Sequence, residues 1–194
     1  MTKREIYYSA VQLFDHKQSA ADAAIEHCVE TISRISTSYG AFCRQSLGII
    51  AARRGLVFGP ITWRTEDGER MNGMNGTGTS IEPRVDNIDY VQCADAAAVI
   101  VVEKETVFHR LATEYHDAFP NLIFITGKGY PDVGTRLFLK FLLEQKPELK
   151  AFALMDGDPH GIDILSVYVN GSAAMAYAGA ELCVPQLKWL GAPK

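Results

Sequence analysis

The sequence predicts an α/β protein: a parallel sheet covered by helices forms its larger C-terminal part, and a smaller, mainly helical domain precedes it. Three observations predict this. Continuous apolar runs at 96–103 (AAAVIVVE), 121–126 (NLIFIT) and 149–156 (LKAFALMD) have the pattern of strands buried on both faces. Helical stretches alternate with them, at 104–119 (KETVFHRLATEYHDAF), 132–145 (DVGTRLFLKFLLEQ) and 161–172 (GIDILSVYVNGS). Before about residue 85 the pattern differs, with two helical stretches followed by a polar, glycine-rich segment. Hydrophobic residues are 47% and charged residues 22% of the 194, enough apolar material for a packed core and too much for a disordered chain.

At the N-terminus, KREIYY (3–8) sets two adjacent tyrosines beside an arginine. Adjacent side chains point apart on a strand and about 100° apart on a helix, so one tyrosine is free to pack while the other reaches out. Their spacing alone does not choose between them. Residues 19–33 predict a helix: Ser19 with Asp22 resembles a capping box, and Ala24, Ile25, Cys28, Val29 and Ile32 form an apolar face. Residues 44–54 (RQSLGIIAARR) predict a second, basic helix closed by Gly55. LVFGPITW (56–63) alternates as a strand. Helix, turn, basic helix and β ribbon is the order of a winged helix-turn-helix, and also of other small helical subdomains. Residues 66–80 read as a loop or mobile hairpin; their GTGTS lacks the lysine of a phosphate-binding loop. AELCVP (180–185) reads as a short fourth strand. The expected division is 1–64 for the N-terminal domain, 65–84 for a linker and 85–194 for the sheet domain, without internal repeats.

The net charge of −4 is unevenly distributed: residues 1–64 carry +3 and residues 65–194 carry −7. The first part suits phosphates and the second suits metal ions that in turn face phosphates. Cys28, Cys43, Cys93 and Cys183 lie too far apart for a CxxC or zinc motif and read as separate buried thiols of a reducing compartment. No run of about 18 apolar residues predicts a membrane span, and the polar N-terminus lacks the apolar core of a secretory signal.

The chemistry concentrates where strands end. In open α/β sheets, sites form beyond the carboxyl ends of the strands. Glu103 ends the first run, Asp156 ends the third, and Asp158 follows in DGDPHG. Carboxylates converging at one edge repel one another unless a cation lies between them, and oxygen-only ligands favour Mg²⁺. Lys128 in TGKGYPD follows the second run, where flanking glycines let it approach a phosphate, and Tyr130 suits stacking on a base or sugar. Arg136 lies on the next helix, either structural or part of this surface. His160 adjoins the acidic turn, as a ligand, a proton carrier or an exposed loop histidine. His109 and His116 read as surface residues.

The segments VVEKETVFHRL, ITGKGYPDVGTRLFL, MDGDPHGIDILSVY and LKWLG, in this order, resemble the A subunit of type IIB DNA topoisomerases (topoisomerase VI), most closely its eukaryotic relatives that make meiotic double-strand breaks. KREIYYSAVQLF and RQSLGIIAARRGLVFGP resemble the winged-helix domain of the same family. The resemblance implies a Toprim fold, a Rossmann-like parallel sheet, for roughly residues 85–194, after a partial winged-helix domain of the 5Y-CAP kind. It implies Mg²⁺ on Glu103, Asp156 and Asp158. It implies Tyr8 as nucleophile with Arg4 beside it, and Lys128, Tyr130 and Arg136 along the DNA. The implied protein is a nuclear homodimer of the ATP-hydrolysing class of type II topoisomerases. It acts on double-stranded DNA with accessory recombination proteins and an ATPase B-type subunit. Family members are longer, so the chain reads as a fragment, a shortened isoform or an incompletely traced gene. Two alternatives stand beside this reading: a Toprim nuclease or primase in which Tyr8 only packs, and a non-catalytic module that binds DNA or a partner.

Overall fold

The computed structural model describes residues 1–35, 47–50, 53–93, 95–172 and 182–191. The three apolar runs form the parallel centre of a six-stranded sheet. Here β6 is Ala98–Val102, β7 is Leu122–Thr126 and β8 is Lys150–Leu154. β6 lies between the other two, with Ala98 in register with both Leu122 and Lys150, so all three strands end at one edge. All five residues of β6 are buried, as a strand covered on both faces requires. The helices between them are α3 (Glu105–Glu114), α4 (Val133–Gln145) and α5 (Pro159–Asn170). On one face, Phe138, Leu139 and Leu142 of α4 and Ile164 of α5 join Val99, Val101, Ile123 and Ile125 in the main core. On the other, Phe108 and Ala112 of α3 pack with Ile100, Val102 and Phe124.

The stretch 56–63 is two strands rather than one. β1 (Leu56–Phe58) runs antiparallel to β7, and β4 (Thr79–Ser80) pairs on its other side. β2 (Thr62–Thr65) leaves for a separate antiparallel sheet with β3 (Arg70–Asn72) and β5 (Ile88–Gln92). Gly59 and Pro60 make the break. Gly59 has φ +132, and a Cβ there would come within 2.5 Å of the Leu122 carbonyl oxygen. The buried Trp63 of β2 meets Phe138 of α4 edge-on at 5.3 Å, joining the small sheet to the main core. The expected division at residue 64 therefore cuts through these sheets. The expected linker 65–84 carries β3 and β4, the former as the second arm of a hairpin with β2.

Other expectations shift with the local backbone. The described residues of the predicted basic helix, 47–50 and 53–54, are not α-helical, and Gly48 has φ +68 there; residues 44–46 and 51–52 lie outside the described residues. Gly55 is no helix cap: a Cβ on it would stand 2.1 Å from Thr135 Oγ1, so it permits close approach to α4. The described part of AELCVP, 182–185, is not a strand. The fourth parallel strand is instead β9 (Lys188–Trp189) beside β8, which completes the order β4-β1-β7-β6-β8-β9.

At the N-terminus, Thr2 and Glu5 form a reciprocal capping box that starts α1 (Lys3–Ser9). The second helix, α2 (Gln18–Ile35), begins one residue before Ser19, so the predicted Ser19–Asp22 box does not cap it. Its buried stripe is Ala21, Ile25 and Val29; Ala24, Cys28 and Ile32 are exposed. Cys28 is thus not the buried thiol expected, Cys93 is buried, Cys183 is half-buried, and Cys43 lies outside the described residues. Lys3 Nζ bonds Glu26 Oε1 at 2.6 Å and ties α1 to α2. No helix among the described residues is long and apolar enough to cross a membrane.

Candidate active site

Parallel pairing brings Glu103 and Asp156 together. Each follows its strand within two residues, and β6 and β8 are neighbours in register. Glu103 is 8% exposed. Its backbone N–H donates to the Leu154 carbonyl at 3.1 Å, and its Oε2 accepts the Asp156 backbone N–H at 2.9 Å. One carboxylate therefore braces the chain that carries the other. Asp156 is exposed, and its Oδ2 accepts from Lys104 Nζ at 2.6 Å. This hydrogen bond and the Asp156 charge hold the Lys104 ammonium above the usual lysine range, with smaller contributions from Glu103 and Asp158.

Asp158 is the N-cap of α5, accepting the Gly161 N–H on Oδ1 at 2.8 Å, with Pro159 at the first helical position. Gly161 is required here because a Cβ would meet the Asp156 carbonyl oxygen at 2.3 Å. The short DGDPHG turn thus packs the first turn of α5 directly on the backbone of Asp156.

The loop after β7 lies along the same edge. Lys128 has φ 58, unusual for a residue with a side chain, between Gly127 and Gly129. Its N–H donates to Thr126 Oγ1 at 3.1 Å, and the Gly129 N–H donates to the Glu103 carbonyl at 2.9 Å, joining this loop to the end of β6. Lys128 Nζ bonds Glu105 Oε1 at 2.8 Å, and this bond pulls the Glu105 carboxyl below its usual range. The Tyr130 hydroxyl donates to Asp163 Oδ2, a bond that pushes its titration up, and its ring meets His160 edge-on at 5.1 Å. His160 is exposed beside this ring.

Arg136 is not on this surface. It is 2% exposed, its Nε donates to the Leu182 carbonyl at 3.2 Å, and burial pulls its guanidinium below the usual range. As folded here, it offers nothing to a phosphate. Two cations at this edge escape sequence reasoning: Lys104, although it directly follows Glu103, and Arg54. The Arg54 backbone N–H donates to Asp132 Oδ2 at 3.2 Å, and its guanidinium reaches the Lys128 carbonyl at 3.5 Å. Its position in the basic run ARRG is the available signal, masked by the helical pattern of that run.

Tyr7 and Tyr8 lie on α1, with ring centroids 5.3 Å apart. Tyr7 is half-buried, whereas Tyr8 is 69% exposed. Arg4 is also exposed and stands one turn before Tyr8, on the same helical face. The tyrosines belong to the α1–α2 unit and the carboxylates to the sheet.

As a home for a hard cation, the three carboxylates are right in donor type and charge. Among the described residues, no three acidic, His or Cys side chains already surround a common point. Glu103 Oε2 and Asp158 Oδ1 are occupied by backbone N–H groups, and Asp156 Oδ2 by Lys104. The donor chemistry fits, with Asp156 Oδ2 already paired with Lys104.

Two family models match the chain. One, described as the Toprim domain of the topoisomerase 6 A-subunit/Spo11 family, covers residues 98–193; the other, described as type IIB DNA topoisomerase, covers residues 1–36. The chain belongs to the topoisomerase 6 A-subunit/Spo11 family. It is 40% identical to the A3 subunit of DNA topoisomerase 6 from Oryza sativa subsp. indica, over 98% of this chain and 41% of that protein. It is 39% identical to the A subunit of DNA topoisomerase 6 from Arabidopsis thaliana, over 98% and 42%. It is 35% identical to the meiotic recombination protein SPO11 of Homo sapiens, over 98% and 46%. The chain thus spans less than half the length of these three relatives. The sheet of β6, β7 and β8 with its three helices is the Toprim part of this family, and Glu103, Asp156 and Asp158 stand at its carboxyl edge.

Proposed function

We propose that this chain is the DNA-cleaving part of a type IIB topoisomerase A-like subunit, a transesterase that makes the double-strand breaks of meiotic recombination. The observation that carries this reading is the hydrogen bond from the Asp156 backbone to Glu103 at the carboxyl edge of the sheet, with Asp158 capping the next helix. It makes a braced, acidic edge of the kind that serves phosphoryl transfer. Tyr8 is the nucleophile. Its oxygen forms a bond to a backbone phosphorus, the bond to the 3′ oxygen breaks, and that oxygen takes up a proton. The products are a 5′-phosphotyrosyl link and a free 3′-hydroxyl. The number of phosphate ester bonds is unchanged, so the step needs no ATP, and ATP hydrolysis belongs to a B-type partner. Arg4, one helical turn from Tyr8, favours the charge that develops on phosphate.

Glu103, Asp156 and Asp158 would hold Mg²⁺, which supplies neutralisation of the phosphate charge when bound. Lys128 and Arg54 bind and orient the DNA backbone, and Tyr130 stacks on a base or sugar. Contacts of this kind carry little sequence information, so break sites are chosen weakly. The helices α1 and α2 belong to the partial winged-helix domain. The protein works as a homodimer on chromosomes in the nucleus, with accessory recombination proteins. Trapping the chain on DNA under denaturing conditions, followed by identification of the DNA-linked peptide, tests this reading. An adduct on Tyr8 is expected, and cleavage without an adduct would support a Toprim nuclease instead. One observation favours a second reading, a DNA- or partner-binding module without chemistry: Lys104 already neutralises Asp156. Neither adduct nor cleavage in the assembled complex would support that module.

A further inference from the structure

We infer that Lys104 is a tethered counter-cation of the carboxylate edge, which competes with a divalent ion for Asp156. The inference rests on the assignment of Glu103, Asp156 and Asp158 to a metal ion. Lys104 Nζ lies 2.6 Å from Asp156 Oδ2, and its ammonium also feels Glu103 and Asp158. It therefore stands in the field of the same three groups that a metal would need.

The place of Lys104 in the backbone makes this pairing informative. It is the N-cap residue of α3, with φ −91 and ψ 126, and its side chain makes no capping bond. Ser, Thr, Asp and Asn stabilise that position, and a cation there is opposed by the helix dipole. Local helix energetics thus disfavour lysine here, while the acidic edge favours it. The pair is also suited to exchange. The two side chains are about half exposed, at 54% and 47%, so water screens their attraction. The flexible four-carbon stem lets the ammonium withdraw without moving the backbone. Without an ion, Lys104 relieves the repulsion among the carboxylates; a divalent ion, with twice the charge, competes with it for Asp156.

Calorimetric titration of Mg²⁺ into the full chain, without DNA, tests this. Wild type is compared with Lys104→Met, Lys104→Gln and Lys104→Arg, and with Lys150→Met at the opposite end of β8 as a control for net charge. The Met and Gln variants are expected to bind Mg²⁺ roughly three- to tenfold more tightly, since each loses a competing pair and a repelling charge. Lys104→Arg is expected to stay near wild type, and Lys150→Met is expected to match it. Unchanged or weaker affinity in both the Met and Gln variants overturns the inference, as does an equal gain in Lys150→Met. If the wild type and all variants show no Mg²⁺ binding, the metal assignment itself falls, and the counter-cation falls with it.

Discussion

Tyr7 and Tyr8 show how two identical side chains part company. On α1 the first turns partly inward and the second stands out, 69% exposed, in line with Arg4. Tyr8→Phe removes one exposed oxygen and is expected to change stability by no more than about 0.5 kcal/mol while abolishing the covalent DNA adduct. Tyr7→Phe is expected to retain adduct, and gel mobility of denatured protein–DNA complexes distinguishes the two. At the acidic edge, each carboxylate has a structural bond as well as a charge, so the replacement chosen decides what is learned. Glu103→Gln keeps an oxygen acceptor for the Asp156 N–H and is expected to fold normally and lose Mg²⁺ binding by calorimetry. Asp158→Ala is expected to lose the cap of α5 in addition, at a cost of about 1 kcal/mol in denaturant unfolding, whereas Asp158→Asn keeps it. Equal stability of the two Asp158 variants would show that the cap contributes nothing.

At the scale of elements, the site depends on α5 starting hard against the end of β8. Gly161 is the residue that allows it, since any Cβ would stand 2.3 Å from the Asp156 carbonyl oxygen. The obstacle is backbone, which cannot rotate aside, so Gly161→Ala is expected to push the helix start outward. A loss of about 1–3 kcal/mol in denaturant unfolding, together with weakened Mg²⁺ binding, is the expected outcome. Wild-type values for both would show that the turn is loose. Asp132 has a comparable role for α4: its two oxygens accept the Thr135 N–H at 2.6 Å and the Arg54 N–H at 3.2 Å. One residue thus caps a helix and anchors the segment that brings Arg54 to the Lys128 loop.

At the scale of the whole molecule, the proposed nucleophile and the acidic edge sit on different elements, α1 and the sheet, which is the arrangement a composite dimer site would use. Mixing a Tyr8→Phe chain with a Glu103→Gln chain tests this in the assembled complex. If the tyrosine of one protomer serves the metal site of its partner, a mixed dimer keeps one intact site and nicks one strand. If both come from the same protomer, the mixed dimer has no intact site. Inactivity of verified mixed dimers beside active wild-type dimers would reject the shared arrangement.

The sequence alone determined the sheet centre and its edge. The run AAAVIVVE states its burial by composition, and it and LKAFALMD end on the candidate site residues Glu103 and Asp156 because parallel strands end together. It determined the helices α3, α4 and α5 for the same reason, through unbroken apolar periodicity. Tertiary structure decided what depends on partners distant in the chain. LVFGPITW alternates evenly, yet contact of Gly59 with the Leu122 backbone splits it between two sheets. Gly55 has the look of a helix cap, yet its need is for room beside Thr135. Arg136 lies in a motif segment beside Lys128 and Tyr130, but its helix turns it inward to the Leu182 carbonyl. Lys104 is one residue from Glu103 in sequence, but its bond to Asp156 exists only because β6 and β8 lie side by side in register. Local pattern reports how much of a residue is buried and with what period; which distant group meets it is settled only when the strands pair.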